Sequence, residues 1–335
     1  MKILVTGGAG YIGSHICKDL FKKNFKVIVF DNLKSGKKNF VKWGKFIKGD
    51  LTNFNQIKNA INKTKPNAII HLAGKISVEE SEKEIFTYYK NNFFGTLNLL
   101  EAMRINGIKK IVFSSTAGVY GNQKKTPISE KAYTNPLNIY SKTKFFSEEL
   151  IKDYNRLYGI NYFILRYFNA AGADFDCEIG ESHDPETHLI PLAIDAILKN
   201  KRFKVFGRNF NTFDKTAIRD YIHVSDLASA HILALKKINK KNKNNVLNLG
   251  SQEGMSVLEA ISLLEKSKNI KINKKFYKKR KGDIPKLISS SRLAKKVLGW
   301  KAKVSKSEIL NSAYNWHHKN FKKNEKKAYR FNIKN

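Results

Sequence analysis

The chain is poor in cysteine. Its 335 residues hold two, Cys17 and Cys177, too few and too far apart for a disulfide framework, so a reducing compartment is expected. Long hydrophobic runs are missing too. Crossing a bilayer takes about 18 consecutive apolar residues, and none occur together; the opening MKILVTGGAGYIG turns to glycine before reaching signal-peptide length. A cytoplasmic protein with no membrane partner is expected. Acidic residues are few, 28 against 63 basic, for a net charge of +35, and only nine of the basic residues are arginine. Nucleic-acid binders cluster basic residues on one face and use arginine forks to read bases and phosphates. Here lysine is spread from end to end beside asparagine, as in KKINKKNKNN (236–245), which reads as solvated surface. No nucleic-acid partner is expected, although such a field favours capture of a small anion.

What is present is a globular composition, 41% hydrophobic and 12% aromatic. A chain this long exceeds the size at which single cores tend to split, about 250–300 residues, so two lobes are expected. The stretch KILVTGGAGYIGSHICKDLFKK reads as a strand (Ile3–Thr6), a glycine turn and a helix with Ile12, Ile16 and Leu20 on one face. Gly7, Gly10 and Gly13 follow G-x-x-G-x-x-G, a variant of the dinucleotide fingerprint, in which glycines let backbone approach pyrophosphate at a helix N-terminus. A second strand, Lys26–Phe30, ends at Asp31, whose carboxylate suits the ribose hydroxyls of NAD and repels the 2′-phosphate of NADP. Lys34 and Lys37 weaken that preference. Strand–helix alternation continues through Ala68–Leu72, a helix near Phe86–Met103, and Lys110–Ser115. That pattern predicts an α/β fold, a Rossmann-type doubly wound parallel sheet with its ligand at the carboxyl ends of the strands. Asp50, Ala73, Gly74 and the region of Ser115 fall on that rim.

NIYSKTKFF (138–146) places Lys144 four residues after Tyr140. With 14 tyrosines among so many lysines, roughly two such spacings arise by chance, and three occur: Tyr120/Lys124, Tyr140/Lys144 and Tyr277/Lys281. Tyr140 opens an expected helix to Tyr158, which stacks it on Lys144. A lysine ammonium there should lower the phenol's pKa and make it a proton shuttle, with a serine or threonine hydroxyl from SSTAGVYG (114–121) orienting the substrate oxygen. Tyr120 lies in a loop, and Tyr277 sits in FYKKRKG, where a lysine at any spacing carries no information.

In this order, GGAGYIGSH, DNLKSG (31–36), GDL (49–51), HLAG (71–74), SSTAGVYG, YSKTK, RYFNAAGA (166–173), ETHLIPLA (186–193), TAIRDYIHVSDLA (216–228), NLGS (248–251) and RKGDIPKLISS (280–290) resemble the extended short-chain dehydrogenase/reductases. Within them, the chain is similar to the bacterial UDP-glucose 4-epimerases over nearly its whole length. The resemblance implies tightly bound NAD, a UDP-hexose substrate, epimerisation at C4 and a homodimer. It implies a catalytic set of Tyr140, Lys144 and Thr116, the last where epimerases usually carry serine. Dehydratases of the group follow that hydroxyl with Asp-Glu, and Ala117-Gly118 offer no acid. For the cofactor it implies the glycine turn with Tyr11 and Ile12, then Asp31-Asn32 and Asp50-Leu51. It adds Leu72 with Ala73 and Gly74, Asn91, Ser114 and Phe168, beside Tyr140 and Lys144. For the substrate it implies Asn169, His188 and Leu189, with Phe206 at the uracil and Arg219 and Arg280 at the diphosphate. Asp283 falls at a ribose, and Leu287 beside the sugar's 2-position.

The cofactor domain is expected over residues 1–168 with 217–250, a smaller α/β substrate-binding lobe over 169–216 with 251–320, and a basic tail over 321–335. The segment after Lys319 is expected to pack little and fray. His183 to His188 lacks the H-E-x-x-H spacing, so no metal site is expected. Glu148-Glu149 read as solvated residues of the Tyr140 helix. Another UDP-sugar (an N-acetylhexosamine, a pentose or a uronate) and a non-catalytic dinucleotide-binding protein remain alternatives.

Overall fold

The computed structural model describes residues 1–238, 245–280 and 283–332, with side chains described as far as Lys323. Lys281 of the third Tyr/Lys pair, and most of the run at 236–245, lie outside the described residues. The chain opens with β1 (Lys2–Thr6), α1 (Tyr11–Lys22), β2 (Lys26–Asp31), β3 (Lys45–Lys48), α2 (Phe54–Thr64) and β4 (Ala68–His71). After α3 (Val78–Ser81), α4 (Ile85–Tyr88) continues through a π-helical stretch, Tyr89–Phe94, into α5 (Gly95–Ile105). Then come β5 (Lys110–Thr116), α6 (Ile139–Tyr158) and β6 (Asn161–Tyr167). The second half runs β7 (Asn169–Ala171), α7 (Leu189–Leu198), β8 (Phe203–Phe206), β9 (Ile218–His223), α8 (Val224–Lys237), β10 (Asn245–Leu249) and β11 (Gly254–Ser256). It closes with α9 (Val257–Lys268), β12 (Lys274–Tyr277), β13 (Lys286–Leu287), α10 (Arg292–Leu298) and α11 (Lys306–Asn332).

Seven strands pair in parallel in the order β10-β6-β5-β4-β1-β2-β3. The apolar run of β1 serves both faces of this sheet, as a central parallel strand must. Ile3 and Val5 pack on Ile16 and Leu20 of α1 and Leu227 of α8, while Leu4 packs on Ile57 and Ile61 of α2 and Leu99 of α5. The expected doubly wound α/β fold is therefore present. Its strand order reverses between β1 and β4, opening a crevice at their carboxyl ends where such folds take ligands.

A second body has its own core, in which Ile190 and Ile194 of α7 meet Val205, Ile261, Leu264 and Leu310. Its sheet holds β11, β9 and β13, with β7 on β9, and β12 pairs β8 separately. Thus β9 hydrogen-bonds within the smaller sheet, whereas β10, farther along the same segment, joins the large one. The segment expected to fray continues α11 as helix to Asn332.

Candidate active site and cofactor cradle

The glycine turn between β1 and α1 is built by close approach. Gly7 has φ +73°, and a Cβ there would lie 2.7 Å from the Ala73 amide nitrogen. The turn after β1 thereby presses on the loop after β4, where Leu72, Ala73 and Gly74 were expected. A Cβ on Gly13 would sit 2.2 Å from the Gly7 carbonyl oxygen, so α1 starts against the turn itself. The N-cap of α1 is Gly10, with no side-chain cap and no acidic residue in the first turn, which leaves the early amides open to an anion. Asp31 accepts from the amides of Ala9 (3.0 Å) and Leu33 (2.8 Å), fixing the end of β2 to the turn, and burial raises its pKa against those bonds. Asn32 donates to Asp50 at 3.0 Å; although partial burial opposes it, the Thr52 amide, Asn32 and Lys34 bring Asp50 down to about 2. These features suit a dinucleotide: open amides for pyrophosphate, a carboxylate for ribose and no Cβ in the way.

Some expected cofactor residues are engaged elsewhere. Tyr11 donates its hydroxyl to Gly172 O at 2.5 Å across to the second body. Leu51 is buried in the core with Ile57 and Phe30, and Ile12 packs against the α1–α8 core. Ser114 bonds His231 of α8 at 3.0 Å. Asn91 donates to Thr87 O within its own helix, whereas its neighbour Asn92, 3% exposed, accepts from the Lys75 amide at 2.8 Å and reaches Thr143 of α6 at 3.0 Å. Phe168 is buried with Ala117, Val119 and Tyr120, and Leu287 packs on that cluster.

Asn138 starts α6 by capping it, its side chain accepting from the Ser141 amide at 2.8 Å. Tyr140 is therefore in the first turn and Lys144 one turn further, as expected. Thr116 ends β5 and accepts from the Gly118 amide at 3.1 Å, and its hydroxyl acts to lower the pKa of the Tyr140 phenol. The electrostatics differ from expectation. Burial raises Tyr140 to about 12, with Thr116 acting downward and no opposing contribution from Lys144. Lys144 is 6% exposed, lies 4.5 Å above the Phe113 ring, and burial lowers it to about 8 against the upward pull of Glu148. The other two Tyr/Lys spacings are structural or peripheral. Tyr120 is fully buried and donates to Asn248 at 2.7 Å, and Tyr277 packs on Phe206 in the second body.

Glu148, expected in solvent, is 0% exposed and corrects that reading. It pairs with Arg166 at 2.5 Å and accepts a hydrogen bond from Ser115, and only Glu149 faces outward. Helical period is the signal that finds it, since Tyr140, Lys144 and Glu148 follow at steps of four.

Asn169 lies two residues past Tyr167, the register partner of Thr116, and begins the wall of a cleft of about 170 Å³. His188, Leu189, Arg219 and Arg280 line the same cleft, with Glu181 and Tyr221, which sequence reasoning did not single out. Carbonyls of Ile218 (3.0 Å) and Ile284 (2.9 Å) fix one end of the Arg219 guanidinium. Arg280 stacks 5.2 Å over Phe206 and pairs with Asp283 at 3.1 Å, bringing three expected residues together. His188 reaches Glu181 (2.9 Å) and Glu186 (3.0 Å), while His183 lies 3.2 Å from Glu181 as an ion pair without an aligned hydrogen bond. Burial opposes charge on both imidazoles, yet the two carboxylates raise His183 to about 9 and His188 to about 10. Glu181, His183, Glu186 and His188 thus gather side-chain oxygens and nitrogens that all lie within 4.8 Å of one another, a set that could also hold a metal ion.

Residues 3–250 match the NAD dependent epimerase/dehydratase family. A UDP-glucose 4-epimerase from Rhizobium meliloti is 45% identical over 94% of this chain and 96% of its own length. The structure of UDP-glucose 4-epimerase from Brucella ovis in complex with NAD superposes with a TM-score of 0.91 at 39% identity, covering 94% of this chain and 97% of that one. A UDP-glucose 4-epimerase from Stenotrophomonas maltophila, with bound NAD and formylated UDP-arabinopyranose, gives 0.92 at 34% identity over 95% and 98% of the two chains. The chain thus belongs to the NAD dependent epimerase/dehydratase family.

Proposed function

We propose that the protein catalyses reversible C4 epimerisation of UDP-glucose and UDP-galactose through a 4-keto sugar, with tightly bound NAD. The observation that carries this is the Thr116–Tyr140 hydroxyl pair, with Lys144 one turn along α6, next to a cleft that holds two arginines. Bound NAD supplies a reversible hydride acceptor, the chemistry that interconverts a C4 alcohol and ketone. Tyr140 takes the 4-hydroxyl proton and returns it, and Thr116 orients the substrate oxygen. Lys144 holds the nicotinamide ribose and stabilises the phenolate when it forms. Arg219 and Arg280 meet the diphosphate in paired contacts, Asn169 and His188 line the sugar side, and Phe206 and Asp283 take the uridine. Anchoring the nucleotide while the sugar turns over uses remote binding energy to hold the reacting end. Ala117-Gly118, which follow Thr116, supply no acid for dehydration.

The division that fits best takes residues 1–168 with 217–250 as the cofactor half and 169–216 with 251–320 as the substrate half, with β9 as the seam, except that Ala294, Leu298 and Trp300 pack in the core of the large sheet. An exposed aromatic stripe, Phe86 (75%), Phe94 (50%) and Phe146 (42%), supports a homodimer through α4–α6. Both cysteines are free, in keeping with the cytoplasm. No helix among the described residues is long and apolar enough to cross a membrane. A second reading, a 4-epimerase of another UDP-sugar, draws on Leu287, which is smaller than an aromatic gate. Separate incubations with UDP-galactose, UDP-N-acetylgalactosamine and UDP-arabinose test the proposal. UDP-glucose formed fastest from UDP-galactose supports it, and no interconversion of those two sugars overturns it.

A further inference from the structure

Glu148 does not line the cleft, yet it is fully buried and held by side chains of two neighbouring strands. Arg166 of β6 grips it with two nitrogens, NH2 at 2.5 Å and Nε at 3.0 Å, while Ser115 of β5 donates its hydroxyl to it. Arg166 is itself fixed, 4.9 Å over the Tyr120 ring. A buried ion pair is a poor device for stability alone, since apolar packing of the same shape often does as well or better. Its position gives it another use. Glu148 stands one helical turn past Lys144 and two past Tyr140, on the same face of α6.

The groups around Lys144 are few. From β5 comes the Phe113 ring, from α6 Tyr140 one turn before it and Glu148 one turn after, and from β4 His71, which burial and then Lys144 lower to about 3 and so keep neutral. Among the described residues, Glu148 is the anion that acts on Lys144. Its bond to Ser115 also ties the end of β5, and with it the adjacent Thr116, to the helix that carries Tyr140.

We propose that Glu148 is a positioning residue of the epimerase: clamped by Arg166 and Ser115, its carboxylate is the fixed counter-charge of the Lys144 ammonium and locks Thr116 in register with Tyr140. This rests on the epimerase reading of the site. Burial alone favours the neutral amine, which would neither hold the ribose as a cation nor stabilise the Tyr140 phenolate. The clamp keeps that amine charged through neutral pH.

The test compares wild type, Glu148→Gln, Glu148→Asp, the double variant Glu148→Gln/Arg166→Met and Tyr140→Phe. It measures kcat and KM for UDP-galactose from pH 6 to 9.5, thermal midpoint, and competitive acetic-anhydride labelling of Lys144 read by mass spectrometry. Labelling follows the ammonium without turnover. Glu148→Gln should move the alkaline limb of kcat and the Lys144 labelling curve at least one pH unit toward acid, with KM within about twofold. The double variant removes the stranded guanidinium and restores the thermal midpoint, but keeps the displaced limb. Glu148→Asp keeps the charge and recovers most of the wild-type limb. Limb and labelling curve unchanged in Glu148→Gln and in the double variant would overturn the inference and leave Glu148 a packing residue. Absence of turnover in wild type, or full activity in Tyr140→Phe, would instead sink the epimerase reading, and the labelling curves would still decide the role of Glu148.

Discussion

Replacing Gly13 with alanine should weaken the protein's hold on its cofactor without unfolding it. The added methyl would lie 2.2 Å from the Gly7 carbonyl oxygen, 2.8 Å from the Gly8 Cα and 2.9 Å from the Gly7 carbonyl carbon. All three are backbone atoms, so no side chain can rotate away. The nearest contact is about 1 Å or more short of ordinary separation, and α1 must retreat from the turn. Overfilling a packed site costs about 1–3 kcal/mol. If that cost falls on the bound state, at 1.4 kcal/mol per factor of ten it weakens NAD roughly 5- to 150-fold. NAD titration of stripped protein by fluorescence quenching, with the thermal midpoint alongside, reads both effects. Wild-type affinity in Gly13→Ala would refute the close approach of α1 to the turn and the cradle drawn from it.

Tyr140→Phe should lose at least about a hundredfold in kcat, the low end for a general acid–base group. Tyr277→Phe should keep its activity, and Tyr120→Phe should instead lose about 1–3 kcal/mol of stability by leaving buried Asn248 without its donor; comparable kcat losses at all three would remove the assignment. Leu287→Tyr should suppress turnover of UDP-N-acetylhexosamines selectively, as a larger ring beside Phe168 and Ala117 costs about 1–3 kcal/mol. An unchanged ratio of kcat/KM for the two sugar classes would show that Leu287 does not face the sugar. His188 is raised to about 10, so the stability its protonation contributes is complete below about pH 6.5 and is lost as pH rises toward 10. The gap in thermal midpoint between wild type and His188→Asn should therefore narrow from pH 6 to 10, and a constant gap contradicts the ion pairs. Phe86→Glu with Phe146→Glu should shift sedimentation from dimer toward monomer; a wild type already monomeric at micromolar concentration rules out the interface.

Local signals carried much of this structure. Short apolar runs and the glycine turn were enough to place the large sheet, and the helix expected from Tyr140 to Tyr158 is present as Ile139–Tyr158. Long-range pairing was not visible. Glu148 and Glu149 are identical letters side by side, and only the positions of Arg166 and Ser115 in the folded sheet show which one is buried. The choice of Asn91 over Asn92 rested on resemblance alone. Where Tyr89–Phe94 winds as a π-helix, an extra residue per turn shifts which asparagine faces inward. Glu181 is separated from His188 by a loop whose closure no spacing rule describes, and β9 joins the smaller sheet through partners far along the chain. In a lysine-rich sequence, nothing marked Lys18 as different from its neighbours.

Lys18 is 3% exposed and reaches Asp174, Asp176 and Glu178 at 2.7, 3.0 and 2.6 Å. Along α1, Tyr11, His15 and Lys18 share the face turned toward residues 172–178, opposite the face that packs on the sheet, and Trp43 lies 5.3 Å from the Lys18 ammonium. For protein engineering, the unit of exchange is therefore not the lobe. A graft that imports a relative's residues 169–216 to change sugar preference must also import the matching positions 11, 15, 18 and 43 from the other end of the chain. Without them, a buried ammonium meets a foreign loop, and the hybrid fails where its two parents join rather than where either binds its ligand.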